Sequence, residues 1–384
     1  MKDVFIVGSK GIPANYGGFE TFVDNLVSRQ VNRNIRYHVA CMTFAKNVKL
    51  YNYNGAECQE ITVPNIGGAK AILYDLKALD WSLNIIKKNK LKDGIIYILA
   101  CRIGPFLARY KRKFGAYGFK IYVNPDGHEW KRAKWSLPVR KYWKFSEKLM
   151  VKHADLLICD SKSIEKYIKY DYSQYNPKTT FIAYGADISK SELTAKDEEV
   201  KEWFKEKKVT PNEYFLIVGR FVPENNFETM ISEFMNSNVK KDLVIITNIE
   251  KNKFYDMLLE KTNFTSDERI KFVGTVYDQE LLKYIRENAF AYIHGHSVGG
   301  TNPSLLEALG STDVNLLFNV GFNKEVGERG ALYWGKNKDS LKELIDKVSL
   351  QSVPERVKLS ENSKTRIQQD YSWEKIVSDY ENIF

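Results

Sequence analysis

Short apolar runs alternate with amphipathic stretches along the chain, and the alternation predicts a βαβ series. Val4–Gly8 reads as a buried strand, and Phe19–Gln30 as a helix with Phe19, Phe22, Val23, Leu26 and Val27 on one face. Strands are predicted at Tyr37–Thr43 and Glu60–Val63, a long helix at Ala69–Lys88, and further strands at Gly94–Ala100, Phe119–Asn124 and Asp155–Cys159. A basic helix around Val139–Lys152 separates the last two. A second series starts near Asn212, with strands at Tyr214–Val218, Leu243–Thr247, Ile270–Val273, Ala289–His294 and Val314–Phe318. Continuous apolar strands between helices belong to parallel sheets covered on both faces. Two doubly wound Rossmann-like α/β domains are therefore expected, facing each other across a cleft. The polar, glycine-bearing stretch Tyr184–Thr194 reads as the hinge. The expected division is 1–188, 189–366 and a C-terminal helix, 367–384, returning to the first domain.

The most informative stretch runs from Ala289 to Gly310. A strand leads through a glycine-containing turn to a helix that begins at Asn302-Pro303. Asn302 suits the N-cap, and Pro303 the first helical position, where a missing N–H costs nothing. The helix tip points unpaired N–H groups and a positive dipole end at the strand tip, which is a seat for an anion. Glu307, one turn further in, is placed to accept hydrogen bonds from neutral hydroxyls. Diphosphate at the tip and sugar hydroxyls at the carboxylate describe a nucleotide-sugar site; an ordinary capped αβ connection has the same spacing.

Length and composition fit this picture. A chain of 384 residues with 43% hydrophobic and 28% charged residues is globular and long for one core. Its four cysteines (Cys41, Cys58, Cys101 and Cys159) have no framework spacing and read as buried thiols. No apolar run reaches the roughly 18 residues of a membrane span, and the N-terminus enters a strand directly, so a cytoplasmic protein is expected.

The formal charge of +10 is concentrated. Between Arg109 and Lys152 there are thirteen basic residues against three acidic ones (Asp126, Glu129 and Glu147). Trp130, Lys131, Arg132, Lys134, Trp135, Arg140, Lys141 and Trp143 lie in that segment, a mixture suited to the headgroup zone of an anionic membrane. A solvated basic face would read the same way, and no nucleic-acid-binding module is present. Peripheral attachment to the inner face of the plasma membrane is the expectation.

Three further places carry candidate chemistry. The loop Gly8–Glu20 follows a buried strand and opens a helix, with Gly17 and Gly18 letting backbone pass close to a bound group. It is neither G-x-G-x-x-G nor a Walker A loop, which argues against a dinucleotide. Arg220, at the carboxyl end of a strand, can grip a diphosphate by two parallel N–H bonds. Asp126 and His128 share the turn after Phe119–Asn124 and are candidates to act on an acceptor hydroxyl. His294 and His296 flank Gly295 and could meet a ligand, whereas His38 and His153 read as structural. Without a D-x-D pair or histidines at ligand spacing, charge neutralisation by arginine and helix tips, with no metal or other cofactor, is expected.

Taken together, these residues resemble the retaining glycosyltransferases of family 4, which have the GT-B fold. The resemblance rests on Gly17-Gly18-Phe-Glu20, Tyr184-Gly-Ala-Asp187, Val218-Gly-Arg-Phe-Val-Pro-Glu224, Asn302–Glu307 and Tyr371-Ser-Trp373. Gly-Ile-Pro-Ala-Asn-Tyr-Gly-Gly-Phe-Glu-Thr and Gly-Gly-Thr-Asn-Pro-Ser-Leu-Leu-Glu look like the bacterial rhamnosyltransferase branch. That branch uses dTDP-L-rhamnose on a lipid carrier to build capsular or cell-wall polysaccharide, and the likeness is greatest to capsule β-1,4-rhamnosyltransferases acting on lipid-diphosphate-linked glucose. The resemblance implies a ribose contact for Glu307, a diphosphate grip for Arg220, and phosphate or donor-sugar contacts around Thr301, Asn302 and Ser304. Tyr184 and His296 join the implied donor set. The motif's first glutamate falls on Gly299, which suits a deoxy sugar, and its lysine falls on Asn225. The family's reacting-centre histidine aligns with Asp126, two residues from His128, and the choice between them stays open.

Overall fold

Strand β1 (Lys2–Val7) has Val4, Phe5, Ile6 and Val7 wholly buried, as a central parallel strand covered on both faces requires. The computed structural model describes every residue except Asn15, Tyr16, Ala133 and Glu250. The chain divides into two compact units, Met1–Gly185 with Trp373–Phe384, and Ala186–Ser372.

The first unit adds β2 (Ile35–Thr43), β3 (Leu50–Tyr53), β4 (Ala56–Thr62), β5 (Ile95–Leu99), β6 (Lys120–Asn124), β7 (Leu156–Cys159) and β8 (Thr179–Phe181). Their order in the sheet is β3-β4-β2-β1-β5-β6-β7-β8, parallel except for the antiparallel edge hairpin β3–β4. The C-terminal helix Trp373–Ile383 belongs to this unit: Tyr380 packs on Phe22 with ring centroids 4.8 Å apart, and its hydroxyl lies 3.1 Å from that of Tyr97. All four cysteines are buried and free. His38 is also internal, 2.8 Å from Asp3 and stacked on Phe5.

The second unit contains β9 (Tyr214–Val218), β10 (Asp242–Ile246), β11 (Ile270–Gly274), β12 (Ala291–His294), β13 (Asn315–Phe318) and β14 (Leu332–Trp334). All are parallel, in the order β11-β10-β9-β12-β13-β14. A core of Phe215, Ile217, Phe227, Ile231, Ile245, Ile293 and Leu316 fills the space between sheet and helices.

In each sheet the first strand is central and the chain winds away from it in both directions. The order therefore reverses between β1 and β5 in one sheet and between β9 and β12 in the other. Open α/β sheets bind ligands outside the carboxyl ends of the strands at such points.

Candidate active site

At the reversal in the second sheet, β12 pairs with β9 only at Ala291–Phe215 and Tyr292–Leu216. Beyond those pairs the strand ends diverge, and two loops line the crevice. The turn after β9 is laced to the turn after β12: Asn226 Nδ2 donates to Gly295 O at 2.7 Å, and Ser297 N to Glu224 O at 3.1 Å. Asn225 joins both, donating to Arg220 O at 2.8 Å while its Oδ1 lies 2.8 Å from His296 Nδ1. Such lacing fixes Gly219-Arg220 relative to β12. The Arg220 side chain is exposed, and among the described residues no carboxylate stands within ion-pair distance of it.

The floor of the crevice is Tyr292, wholly buried, whose hydroxyl donates to Val218 O at 3.1 Å. His294 Nδ1 lies 3.3 Å from the same hydroxyl, and burial pushes this imidazole's pKa down to about 3, so it is neutral. With the tyrosine proton given to Val218, His294 donates from Nδ1 and carries its lone pair on Nε2.

The capped helix forms as its sequence predicts, at Pro303–Ser311, with Asn302 Oδ1 accepting from Leu305 N at 3.3 Å. Leu305, Leu306, Ala308 and Leu309 bury its inner face. The cap is neutral, so the dipole's positive end is left for an external anion. Ser304 Oγ accepts from Arg286 Nη2 at 3.2 Å, and the same nitrogen lies 2.7 Å from Glu307 Oε2. Arg286 is 2% exposed, so removing its charge from water is offset by this pairing. Glu307 is half-buried. Gly299 has φ 124°, a conformation open to glycine and strained for a glutamate. The missing carboxylate is thus matched by the backbone, and Thr301 is buried between these two positions.

In the first unit the glycine loop is organised differently. Lys10 N donates to Glu20 Oε1 at 2.6 Å, and Ala14 N to Asp24 Oδ2 at 2.7 Å, so two carboxylates of the helix Gly18–Ser28 hold the loop down. A β-carbon on Gly17 would lie 1.9 Å from Glu20 Oε2. Glu20 thus stands beside Gly17 at this helix tip, while the space around Gly18 is open. Gly18 is exposed beside it, while Asn15 and Tyr16 of this loop lie outside the described residues.

Asp126, Gly127 and His128 form a left-handed run at the carboxyl end of β6, with φ of 58°, 66° and 54°. Left-handed conformations cost non-glycine residues about 1–2 kcal/mol each and collect where side chains must be aimed. Asp126 N donates to buried Asn124 Oδ1 at 2.8 Å. Burial and the neighbouring Glu129 raise the Asp126 pKa, against the opposing pull of Arg132 and Arg102. His128 packs on Tyr167 with centroids 4.1 Å apart and the rings tilted by 38°, and burial with Lys131 and Lys144 nearby lowers its pKa to about 4. At neutral pH His128 is an uncharged hydrogen-bonding group.

The basic-aromatic segment is more internal than its composition implies. Glu129 gathers Arg132, Lys134 at 2.9 Å and Trp135 Nε1 at 2.9 Å. Arg132 is buried, Arg140 Nε donates to Trp130 O at 2.7 Å, and Trp135 and Trp143 lie 6.1 Å apart, both half-buried. Lys131, Lys134 and Lys141 are exposed. Tyr184 belongs to the first unit, where it is buried edge-on against Phe22 at 5.6 Å.

Solved structures of the same architecture include sucrose-phosphate synthase from Thermosynechococcus elongatus, with TM-score 0.80 and 15% identity over 100% of this chain and 98% of that one. A trehalose-6-phosphate protein of E. coli bound with UDP-2-fluoro glucose follows at 0.74 and 11%, over 100% and 98%. HepE of Anabaena in complex with UDP stands at 0.71 and 13%, over 100% and 99%. In sequence, the chain is 24% identical to an uncharacterized glycosyltransferase of Methanocaldococcus jannaschii, covering 96% of this chain and 94% of that protein. Residues 1–187 match the model of a domain of unknown function, DUF1972, and residues 199–366 that of glycosyl transferases group 1. The chain is a glycosyltransferase of the GT-B type.

In this glycosyltransferase the second unit links Arg220 O to His296 through Asn225 and, on the helix that Asn302 caps, Ser304 to Glu307 through Arg286. Sequence reasoning missed Arg286 and Tyr292. Arg286 sits on the helix Gln279–Glu287, whose apolar stripe gives no hint that one arginine points inward. Tyr292 is hidden in a strand that reads as plain core. No group of three or more potential metal-binding side chains occurs among the described residues, and no described helix is long and apolar enough to cross a membrane.

Proposed function

We propose that this glycosyltransferase moves L-rhamnose from dTDP-β-L-rhamnose, with retention, to a lipid-diphosphate-linked sugar. Glucose in a β-1,4 linkage is the proposed acceptor, and capsular or cell-wall polysaccharide the product, made at the inner face of the plasma membrane. One observation carries the reading: the neutral Asn302 cap, Glu307 held by Arg286, and a left-handed Gly299 share a crevice with the exposed Arg220. Relatives of the same fold are bound with UDP and with UDP-2-fluoro glucose.

In this mechanism the diphosphate sits on the helix tip and against Arg220, and Glu307 accepts a hydroxyl of the nucleoside sugar. The bond from the anomeric carbon to the β-phosphate oxygen breaks as the acceptor hydroxyl attacks from the same face. The departing phosphate takes the acceptor's proton. Charge developing on the leaving group is stabilised by donors already in place, worth roughly 3–4 kcal/mol each by analogy with oxyanion holes. Asp126 and His128 orient the acceptor, and no metal is required.

The test is transfer from dTDP-L-rhamnose to a glucosyl-diphosphate lipid, with NMR of the new anomeric centre. Transfer from a different nucleotide sugar alone would discard rhamnose and keep the enzyme. Binding without any transfer would make the protein a non-catalytic regulator and end the proposal.

A further inference from the structure

The first unit exposes large apolar side chains in a pattern that packing does not explain. Phe44 (56% exposed), Val48 (51%) and Ile66 (51%) lie on the loops that follow β2 and β4, and Leu137 (70%) opens the helix Leu137–His153 at the end of the connection that follows β6. These strands are parallel, so all three loops emerge at the carboxyl edge of the sheet. The loops touch one another. Thr62 Oγ1 donates to Ala45 O at 2.6 Å; Lys70 lies 5.2 Å from the Phe44 ring centre and 3.2 Å from Asn65 Oδ1. A β-carbon on Gly68 would be 3.8 Å from the Trp135 ring. Phe44, Ile66 and Leu137 therefore stand along one continuous rim.

The charge along the rim has one sign. Segments 44–50, 63–73 and 130–146 contain no acidic residue, and Lys46, Lys49, Lys131, Lys134 and Lys141 are exposed on them. Glu129, which adjoins the third segment, is buried and spent on Arg132 and Lys134. Apolar side chains standing among exposed lysines match the boundary between acyl chains and anionic headgroups, where both gain.

We propose that this rim docks on an anionic lipid bilayer, with Phe44, Ile66 and Leu137 entering the boundary and the tryptophans acting as internal braces. The connection after β6 carries the Asp126–His128 turn and leads into the helix that Leu137 opens, so docking brings the acceptor-side groups to the lipid surface. The inference deepens the membrane attachment proposed above and rests on it. Its test reads no sugar transfer, so its failure leaves the donor and acceptor reading standing.

The experiment is flotation with vesicles of phosphatidylcholine containing about one-third phosphatidylglycerol, beside pure phosphatidylcholine, at low salt. Wild-type protein is expected to float with the anionic vesicles only. The triple variant Phe44→Ser, Ile66→Ser, Leu137→Ser is expected to lose about tenfold or more in partitioning, since its three anchoring side chains are gone. Its melting temperature and its thermal shift with dTDP should stay those of wild type. Trp135→Phe should float normally. Wild type that stays in solution with anionic vesicles would overturn the proposal, and so would a triple variant that floats undiminished. A dimer broken by the triple variant, with no vesicle binding, would overturn it in favour of a second copy of the chain.

Discussion

The two sheets reverse strand order in the same way, yet the side chains that stand at the two reversals differ in charge. In the first unit, β1 and β5 stay paired as far as Val7–Ile98, at the end of β1. Arg102 then plugs the gap, donating to Gly8 O and Leu99 O and pairing with wholly buried Asp75 at 2.8 Å. In the second unit, β9 and β12 lose their pairing after Leu216 and Tyr292, and neutral amides line the opening beneath exposed Arg220. The helix tips differ in the same sense. Glu20 folds over one, whereas Asn302, uncharged, caps the other. Topology offers two such points, and the side chains near them differ in sign.

The largest effect expected from breaking this contrast is on stability, in the first unit. Arg102→Met leaves Asp75 buried without its partner, and breaking such a pair costs about 3–5 kcal/mol. Replacing both, with Asp75→Leu added, should recover most of that loss, and dTDP affinity of the folded protein should not change in either variant. Denaturant midpoints read the first result and calorimetric titration the second. If Arg102→Met weakened dTDP binding while leaving stability alone, the first reversal would be a nucleotide site after all.

Arg220→Ala should do the opposite. Turnover is expected to fall about a hundredfold, or about 2.7 kcal/mol of transition-state stabilisation, with the denaturation midpoint unmoved. Near-wild-type activity would take Arg220 out of the mechanism.

The fold is legible in the sequence where its signals are local. Tyr214–Val218 is a run of apolar residues and forms the strand β9 with those bounds; the Asn302-Pro303 start of the capped helix is as direct. The strands that carry no such signal, β3, β8 and β14, are short edge strands whose existence depends on a neighbour. The candidate site is legible where one motif supplies it and illegible where elements meet. Arg286 reaches Glu307 from 21 positions earlier in the chain, and Glu20 turns back on Lys10 across ten. Composition misleads at the basic segment for the same reason: charge counting cannot see that Glu129 gathers Arg132, Lys134 and Trp135.

Protonation sharpens the comparison from another side. His294 is buried and neutral, its folded pKa near 3 and its unfolded pKa near 6.5. Unfolding takes up a proton below pH 6.5, so its contribution to stability is intact above that pH and declines as pH falls toward 3. Relative to His294→Gln, wild type should lose about 3 kcal/mol more between pH 7 and pH 4, measured by urea denaturation. Parallel losses in the two proteins would show that the crevice floor admits a proton in the folded state.

The smallest effect falls on the helix tip and separates its two duties. Asn302→Ala removes the cap to Leu305 N and should cost about 1 kcal/mol of stability. Asn302→Asp keeps the cap and adds favourable charge to the dipole, so stability should hold or rise slightly. The added charge sits where the diphosphate would rest, so donor KM should rise several-fold in Asn302→Asp while the melting temperature does not fall. Glu20 already puts such a carboxylate beside Gly17 in the first unit, and Asn302→Asp would make the second tip resemble it. If Asn302→Asp bound donor as well as wild type, the charge at the tips would not be what distinguishes the two reversals, and the lacing of Arg220 through Asn225 would have to account for the selection by itself.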